Sequence, residues 1–412
     1  MTKWVYSGHA LIGKKFLEDV WVAIDGGKIA SVTQNSIDWK PAGGEVETWR
    51  DGWMIPGLID THVHLTSYND GSNPYNSMVE AFEPAGRKSL KALKHAQQHL
   101  RAGVTTVRDL GSCDLGDILA RDAINAGEFI GARICAGGHA LTSTGGHMDA
   151  DKYRAGIPYS AFSFMGYPVD GPDEARRGVR QCIKEGSDVI KVNVSTGANA
   201  APEMSFDVLQ EIITIAHQRE RRVCGHSQGS LGVDWAIEAG INSLEHGRFI
   251  TDEQFARMAE KGIFLTPTLT PDTYPPNFDN LNEISRKWLV GALKAMYPAV
   301  RRAHAAGVKV TCGSDAAMDY ICHGMVAWEI EQLHKAGLSE IEALMGATTY
   351  AAENLGWEDR VGLIAENHFA DLIMLKSNPL NDLNILKNAE DFGFIMKGGI
   401  KVDEPRNGNR TD

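Results

Sequence analysis

Short apolar runs alternate with amphipathic stretches through the middle of the chain. The stretches, such as 88–102, 172–185 and 206–219, have the periodicity of surface helices. The apolar runs predict strands at 58–64, 104–109, 133–136, 189–194, 223–226, 243–246, 264–267 and 308–314. This alternation indicates an α/β protein with a parallel sheet. Eight units over about 300 residues favour a (β/α)8 TIM barrel. An open doubly wound sheet is disfavoured because no G-x-G-x-x-G loop follows an early strand.

The two ends of the chain have a different pattern, in which short β-like runs alternate with turns. Residues 20–24 (VWVAI) precede a D-G-G turn, and residues 394–402 have the pattern of a hairpin with a Gly-Gly turn. We therefore expect the ends to pair. The prediction is a small β-sandwich domain built from 1–56 and 362–412, around a barrel domain of 57–361.

Charge and cysteine content narrow the class of protein. The 412 residues carry a formal net charge of -12, which disfavours binding to nucleic acid or to an anionic membrane. The six cysteines form no C-x-x-C pair, which is typical of reduced thiols rather than disulfides. The N-terminus has no long apolar segment and no run approaches ~18 apolar residues, so we expect no membrane span and a cytoplasmic location.

The candidate chemistry begins in the run M-I-P-G-L-I-D-T-H-V-H, where His62 and His64 end an apolar segment. Residues i and i+2 of a strand point to the same side. The two imidazoles would therefore face one point, as two nitrogen ligands of a metal do.

Further polar residues lie within or at the ends of later strands. Lys191 interrupts the apolar run D-V-I-K-V-N-V, where it is either paired with a buried carboxylate or a neutral lysine able to react with CO2. His226 and His246 end successive strands, as hydrogen-bonded structural residues or as metal ligands. Asp315 follows the last strand, either as a helix N-cap or as a metal ligand that accepts a proton.

Together these residues and their motifs resemble the amidohydrolase superfamily over nearly the whole chain. The motifs are PGLIDTHVH, VIKV, GHSQG, SLEHG and GSDA. Three more, GVTTVRDLG, TGGH and GPDE, resemble its binuclear zinc prolidase-like branch, which includes Xaa-Pro (carboxy)dipeptidases. The resemblance implies a homo-oligomeric hydrolase of a small-molecule substrate.

The resemblance also implies a ligand set for two divalent metal ions, most simply Zn2+. One would be held by His62, His64 and Asp315 and the other by His226 and His246, with a CO2-derived carbamate on Lys191 and a hydroxide as bridges. Asp315 would take the proton of the hydroxide and pass it to the leaving amine.

Four residues are expected to contact substrate. His147 of the TGGH stretch would reach the substrate carbonyl or carboxylate, the alternative being a solvated loop histidine. Tyr68 and Arg108 are expected to line the pocket. For Arg108, a structural salt bridge with Asp109 or another carboxylate is the favoured alternative. Gln228 stands where many dipeptide-cleaving relatives have an aromatic residue or histidine.

The leading hypothesis is therefore a metal-dependent amidohydrolase that cleaves a C–N bond of an aminoacylated or dipeptide-like molecule. Gln228 keeps open a second hypothesis, the same chemistry on a cyclic amide, carbamate, urea or N-acylated xenobiotic. A non-enzymatic scaffold is disfavoured by the complete ligand set. The Pro/Thr-rich segment 266–276 is either a substrate-shaping loop or a rigid connection.

Overall fold

The computed structural model describes residues 2–67, 83–149, 165–196, 201–229, 231–273, 283–316 and 321–402. Its strands are β1 (Lys3–Ile12), β2 (Lys15–Asp25), β3 (Lys28–Gln34), β4 (Glu45–Pro56), β5 (Leu58–Val63), β6 (Val104–Asp109), β7 (Arg133–Cys135), β8 (Ala140–Thr142), β9 (Gly166–Pro168), β10 (Val189–Ser195), β11 (Arg222–Gly229), β12 (Ser243–Phe249), β13 (Phe264–Thr266), β14 (Leu372–Leu375), β15 (Phe392–Lys397) and β16 (Ile400–Lys401).

The helices among these residues lie mainly in the middle of the chain. They are α1 (Ala85–Arg101), α2 (Gly116–Asn125), α3 (Pro172–Glu185), α4 (Phe206–Gln218), α5 (Leu231–Ala239), α6 (Asp252–Lys261), α7 (Thr270–Thr273), α8 (Glu283–Ala305), α9 (Val326–Lys335), α10 (Glu340–Gly346) and α11 (Thr349–Leu355). Short 3-10 helices occupy Cys113–Leu115, Leu383–Lys387 and Ala389–Asp391. Within the described part of the chain, no helix combines the length and the apolar character needed to cross a bilayer.

The two ends of the chain form one mixed sheet, as predicted. Its seven strands run in the order β16-β15-β14-β4-β1-β2-β3, with β1 and β4 parallel and the other pairs antiparallel. Val5, Val22, Met54 and Met374 are fully buried within one apolar cluster of this sheet. Burial of that cluster joins residues that are more than 300 positions apart in the chain, as in the pairing of Met54 with Met374.

The middle of the chain forms two parallel sheets, which confirms the strand–helix alternation. One has the order β5-β6-β7 and the other the order β13-β12-β11-β10-β8-β9. Every position of β5, β6 and β10 is buried, as expected for parallel strands covered on both faces, although each strand also contains polar residues. β8 and β9 were not predicted.

Residues 308–314 differ from the predicted continuous strand. Within the segment, Val310 makes an isolated parallel bridge to Leu265. Just beyond the segment, Ala316 makes another to Val63. The backbone hydrogen bonds of the segment go to different elements. The Cys312 amide donates to the Gly346 carbonyl over 2.8 Å, and not to β5 or β13. Hydrogen bonds divided among three elements leave no regular ladder.

The sheet of the two termini meets the parallel strands at Gly57. β4 ends at Pro56 and β5 begins at Leu58, and the Gly57 amide donates to the Asp371 carbonyl over 2.8 Å. A Cβ at Gly57 would lie 2.2 Å from Thr105 Oγ1 of β6. Only glycine fits here, because the chain passes directly against β6. The domain bounds given above stay a prediction.

We predict that Gly57→Ala destabilises the protein by about 1–3 kcal/mol, the usual cost of forcing extra atoms into a packed site. Gly86→Ala is the matched control, since a Cβ placed there meets no described residue within 4 Å apart from its own helix and chain neighbours. Denaturant unfolding of both variants measures the difference. Equal midpoints for the two would show that β6 yields to the added methyl group.

Candidate active site

Two histidines and an aspartate meet at the carboxyl end of β5. His62 lies in β5 and His64 one residue beyond its end, with ring centroids 5.4 Å apart. Asp315 Oδ1 lies 3.5 Å from His62 Nε2 and 3.3 Å from His64 Nε2. The two imidazoles do face one point, as the i, i+2 spacing predicted. All three side chains are buried.

His226 of β11 and His246 of β12 lie beside this group. Their ring centroids are 4.4 Å apart, and the His246 ring is 5.2 Å from that of His62. The metal-ligating atoms of His62, His246 and Asp315 all lie within 4.8 Å of one another. Histidines from β5, β11 and β12 therefore converge with Asp315 at the carboxyl ends of the parallel strands.

Lys191 of β10 lies fully buried behind these side chains. Its Nζ has no hydrogen-bond partner among the described residues, and neither have His226 Nε2 and Asp315 Oδ1. Burial lowers the pKa of Lys191 and favours the neutral amine. Orphaned nitrogen and oxygen atoms that face one another fit a site for a cation.

The protonation of His226 and His246 is compatible with such a site, whereas for His64 the contact with Asp315 outweighs burial and raises the pKa. Burial lowers the pKa of His246 to about 3 and that of His226 well below its ordinary value, so both rings are neutral, as metal ligands must be. Burial by itself would raise the pKa of Asp315. The nearby His62 and His64 lower the pKa by more than burial raises it, so the carboxylate is ionised.

Protein groups orient three of the rings so that each Nε2 faces the centre. His62 Nδ1 lies 2.8 Å from Glu245 Oε2, His64 Nδ1 lies 2.9 Å from the Gly111 carbonyl, and His246 Nδ1 lies 2.6 Å from Thr268 Oγ1. Such partners of the second ring nitrogen are usual for metal-binding histidines.

Glu245 is a site residue that was not predicted. It precedes His246 in SLEHG, and its carboxylate also accepts from Ser243 Oγ and from Arg108. A glutamate within a predicted buried strand was the signal that could have identified it, because a fully buried carboxylate requires partners.

Arg108 is held by hydrogen bonds to three protein groups. Its Nη2 lies 3.2 Å from Glu245 Oε1, and its other nitrogens donate to the Thr61 carbonyl and to Asn354 Oδ1. These contacts support the structural salt bridge, with Glu245 in place of Asp109. Asp109 instead accepts from the Leu65 and Gly111 amides and from Ser112 Oγ. A substrate-binding role for Arg108 stays an untested prediction.

Two of the converging residues have left-handed backbones. His246 has φ 71° and Asp315 has φ 52°, which is uncommon for residues other than glycine. The Asp315 amide donates to the His62 carbonyl over 2.9 Å, which ties the carboxylate to β5. Strained backbone of this kind clusters at functional sites, where the surrounding structure holds it in place.

The remaining predicted residues lie around this centre. His147 is exposed, with its ring centroid 4.1 Å from that of His226, and Gln228 is half-buried near the end of β11. Tyr68 falls outside the described residues. The segment 266–276 is described to residue 273 and contains the short helix α7.

Comparisons with known proteins give the family. The model of the amidohydrolase family matches residues 53–402. Ochratoxinase of Aspergillus niger is 30% identical over 369 residues, covering 84% of this chain and 75% of that protein. A Xaa-Pro dipeptidase with bound methionine has a TM-score of 0.85 at 28% identity, covering 98% of this chain and 100% of its own. A prolidase complexed with N-methylphosphonate-L-proline has a TM-score of 0.86 at 28% identity, covering 98% and 99%.

The chain belongs to the amidohydrolase family. The predicted resemblance to its prolidase-like members is confirmed, and so is the prediction of a hydrolase acting on C–N bonds. Members of this family generally use divalent metals, and His62, His246 and Asp315 fit such an ion.

We predict that Glu245→Gln weakens metal binding by about 10- to 100-fold, because His62 loses the carboxylate that orients it. A chelator competition titration measures the affinity. Glu238→Gln, at an exposed position of α5, is the matched control. Unchanged affinity in a correctly folded Glu245→Gln protein would contradict the orienting role.

Proposed function

We propose that this protein is a binuclear metal-dependent amidohydrolase that cleaves the amide bond of a small aminoacylated or dipeptide-like substrate. The observation that carries the proposal is the convergence of six buried side chains at the ends of parallel strands. They are His62, His64, Lys191, His226, His246 and Asp315.

The proposal includes a closed (β/α)8 barrel of residues 57–361, with a β-sandwich domain of 1–56 and 362–412. Closure is supported where the two parallel sheets adjoin. On one side, residues 310 and 316 bridge β13 to β5. On the other, the Asp188 amide, next to β10, donates to the carbonyl of Ala136, next to β7, over 2.7 Å. In such barrels the active site lies at the carboxyl ends of the strands.

The ligand assignment is the one that the family resemblance implies, and the closeness of His62, His246 and Asp315 supports a metal at this place. His62, His64 and Asp315 would hold one divalent ion, and His226 and His246 would hold the other, with zinc favoured by the nitrogen-rich set. The neutral Lys191 amine would add CO2 and release a proton, and the resulting carbamate would be a further anionic ligand at this site. When bound, such ions polarise a carbonyl and lower the pKa of water to about 7.

Residues of the chain would then move the proton and hold the substrate. Asp315 is ionised and lies at the centre, so it can accept the proton of the attacking water and pass it to the leaving amine. His147, whose ring centroid lies 4.1 Å from that of His226, would contact the substrate carbonyl or carboxylate. Gln228 and Tyr68 complete the proposed contacts.

The substrate class rests on the relatives. A Xaa-Pro dipeptidase and a prolidase are among the similar structures, which supports a dipeptide-like substrate. The alternative is an N-acylated xenobiotic or another amide, carbamate or urea. It is supported by the 30% identity to an enzyme named for ochratoxin, and by Gln228. Cytoplasmic location and a homo-oligomeric state stay predictions.

A hydrolysis screen tests the substrate class. The zinc-loaded protein is offered Xaa-Pro, Xaa-Arg and other dipeptides alongside N-acyl amino acids, lactams, aryl amides and carbamates. We expect release of free amine from dipeptides. Activity confined to compounds other than dipeptides would favour the alternative, and no activity on any compound would contradict the proposed function.

Asp315→Asn is predicted to lower kcat by about 10²–10⁴-fold with little change in substrate affinity, because the amide cannot accept the proton. Steady-state kinetics and metal analysis separate this loss from a loss of metal. Asp51→Asn, at an exposed position, is the control. A near-normal kcat in Asp315→Asn would exclude the proposed proton transfer.

Lys191→Met is predicted to abolish a carbamate signal in protein prepared with 13C-labelled bicarbonate, and to reduce the metal content. The 13C spectrum is read independently of activity. Lys184→Met, at an exposed position of α3, should leave the signal unchanged. A wild-type spectrum without a carbamate would show that Lys191 acts as an unmodified amine.

A further inference from the structure

Asn193 of β10 is a buried amide that the proposed metal centre does not use. It lies two residues beyond Lys191 and opposite His226 of β11 in the strand register, so all three side chains share one face of the sheet. Asn193 is fully buried, and neither atom of its amide makes a hydrogen bond of good geometry with a described residue.

Glu203 lies just above the carboxyl end of β10. Its amide donates to the Val194 carbonyl over 2.8 Å, which places the residue over the strand end. Its Oε1 accepts from the His147 amide over 3.1 Å, from the Ser143 amide over 3.4 Å and from the Thr142 hydroxyl. Glu203 therefore holds the loop that presents His147.

The loop is built closely around this carboxylate. A Cβ at Gly146 would lie 2.1 Å from Glu203 Oε1, so the chain can approach only without a side chain at that position. The second oxygen, Oε2, is buried and makes no hydrogen bond of good geometry with a described residue. Burial raises the pKa of Glu203, against the opposing effect of its hydrogen bonds, including one from the nearby Asn193 amide.

Two polar groups with unmet hydrogen-bonding capacity thus lie side by side next to His147 and His226. An orphaned buried polar group costs free energy, and in native proteins it commonly marks a ligand or catalytic role. The pair offers acceptors, Glu203 Oε2 and Asn193 Oδ1, and a negative charge. An ammonium group, with donors only and a positive charge, is the complement of this pair.

We propose that Asn193 and Glu203 form the subsite that binds the protonated amino group of an aminoacyl substrate. The inference rests on the proposed amide hydrolase function and deepens it. It selects substrates with a free amine over the same compounds N-acylated, because an acylated nitrogen has neither the charge nor the donors. His147, held by the same carboxylate, would lie between this subsite and the reacting carbonyl.

The experiment compares dipeptides with their N-acetylated counterparts, which have the same scissile bond. In the wild type, kcat/KM should be higher for the free amine. Glu203→Gln keeps an oxygen for the His147 amide but replaces Oε2 with a donor. It should lower kcat/KM for the free amine by about tenfold or more, through KM, and lower that for the acetylated compound much less. Asn193→Leu should reduce the same ratio, and Glu238→Gln should not.

A second measurement, independent of turnover, is calorimetric binding of glycinamide, leucinamide, phenylalaninamide and lysinamide to the metal-loaded protein. Binding of at least one amide that is weakened by Glu203→Gln supports the subsite, even if no dipeptide is cleaved and the hydrolase proposal fails. An unchanged amine-to-acetyl ratio in folded Glu203→Gln protein overturns the subsite. Cleavage confined to acetylated compounds, or binding of none of the four amides, also overturns it.

Discussion

The site depends on the buried ion pair between Arg108 and Glu245. Glu245 accepts from Arg108 with one carboxylate oxygen and faces His62 Nδ1 with the other, so a single fully buried side chain connects β6, β12 and β5. Two charges are stable in this apolar interior only because each side chain has several hydrogen-bonding partners. Arg108 also donates to the Thr61 carbonyl, next to His62. The orientation of a proposed metal ligand is therefore linked to the packing of three strands.

A second constraint is the cost of leaving polar groups unpaired in an apolar interior. The parallel strands are buried along their length, and their polar residues gather at the carboxyl ends. Lys191, His226 and Asp315 keep orphaned atoms there, while the left-handed backbones of His246 and Asp315 add strain. Burial of apolar side chains in the terminal sheet and in the large core stabilises the fold and offsets these unfavourable free energies.

Residues close together in the sequence were the most predictable part of the site. His62 and His64 are two positions apart, so the geometry of one strand brings their rings together. Lys191 and the later histidines were found because polar residues interrupt or end apolar runs. Glu245 was missed, although it lies beside His246, because its function depends on Arg108 and His62, which no local pattern connects to it.

The sequence by itself determined the strand–helix alternation, the pairing of the two β-rich ends and the set of side chains available to a metal. Each of these follows from periodicity or from a residue type placed in an apolar run. Only the tertiary structure decided which ring nitrogen faces the centre, which backbones are left-handed and which carboxylate holds His147. Glu203 contacts Thr142 across 61 positions of sequence. Contacts of that range arise from strand order and packing, which local propensity does not encode.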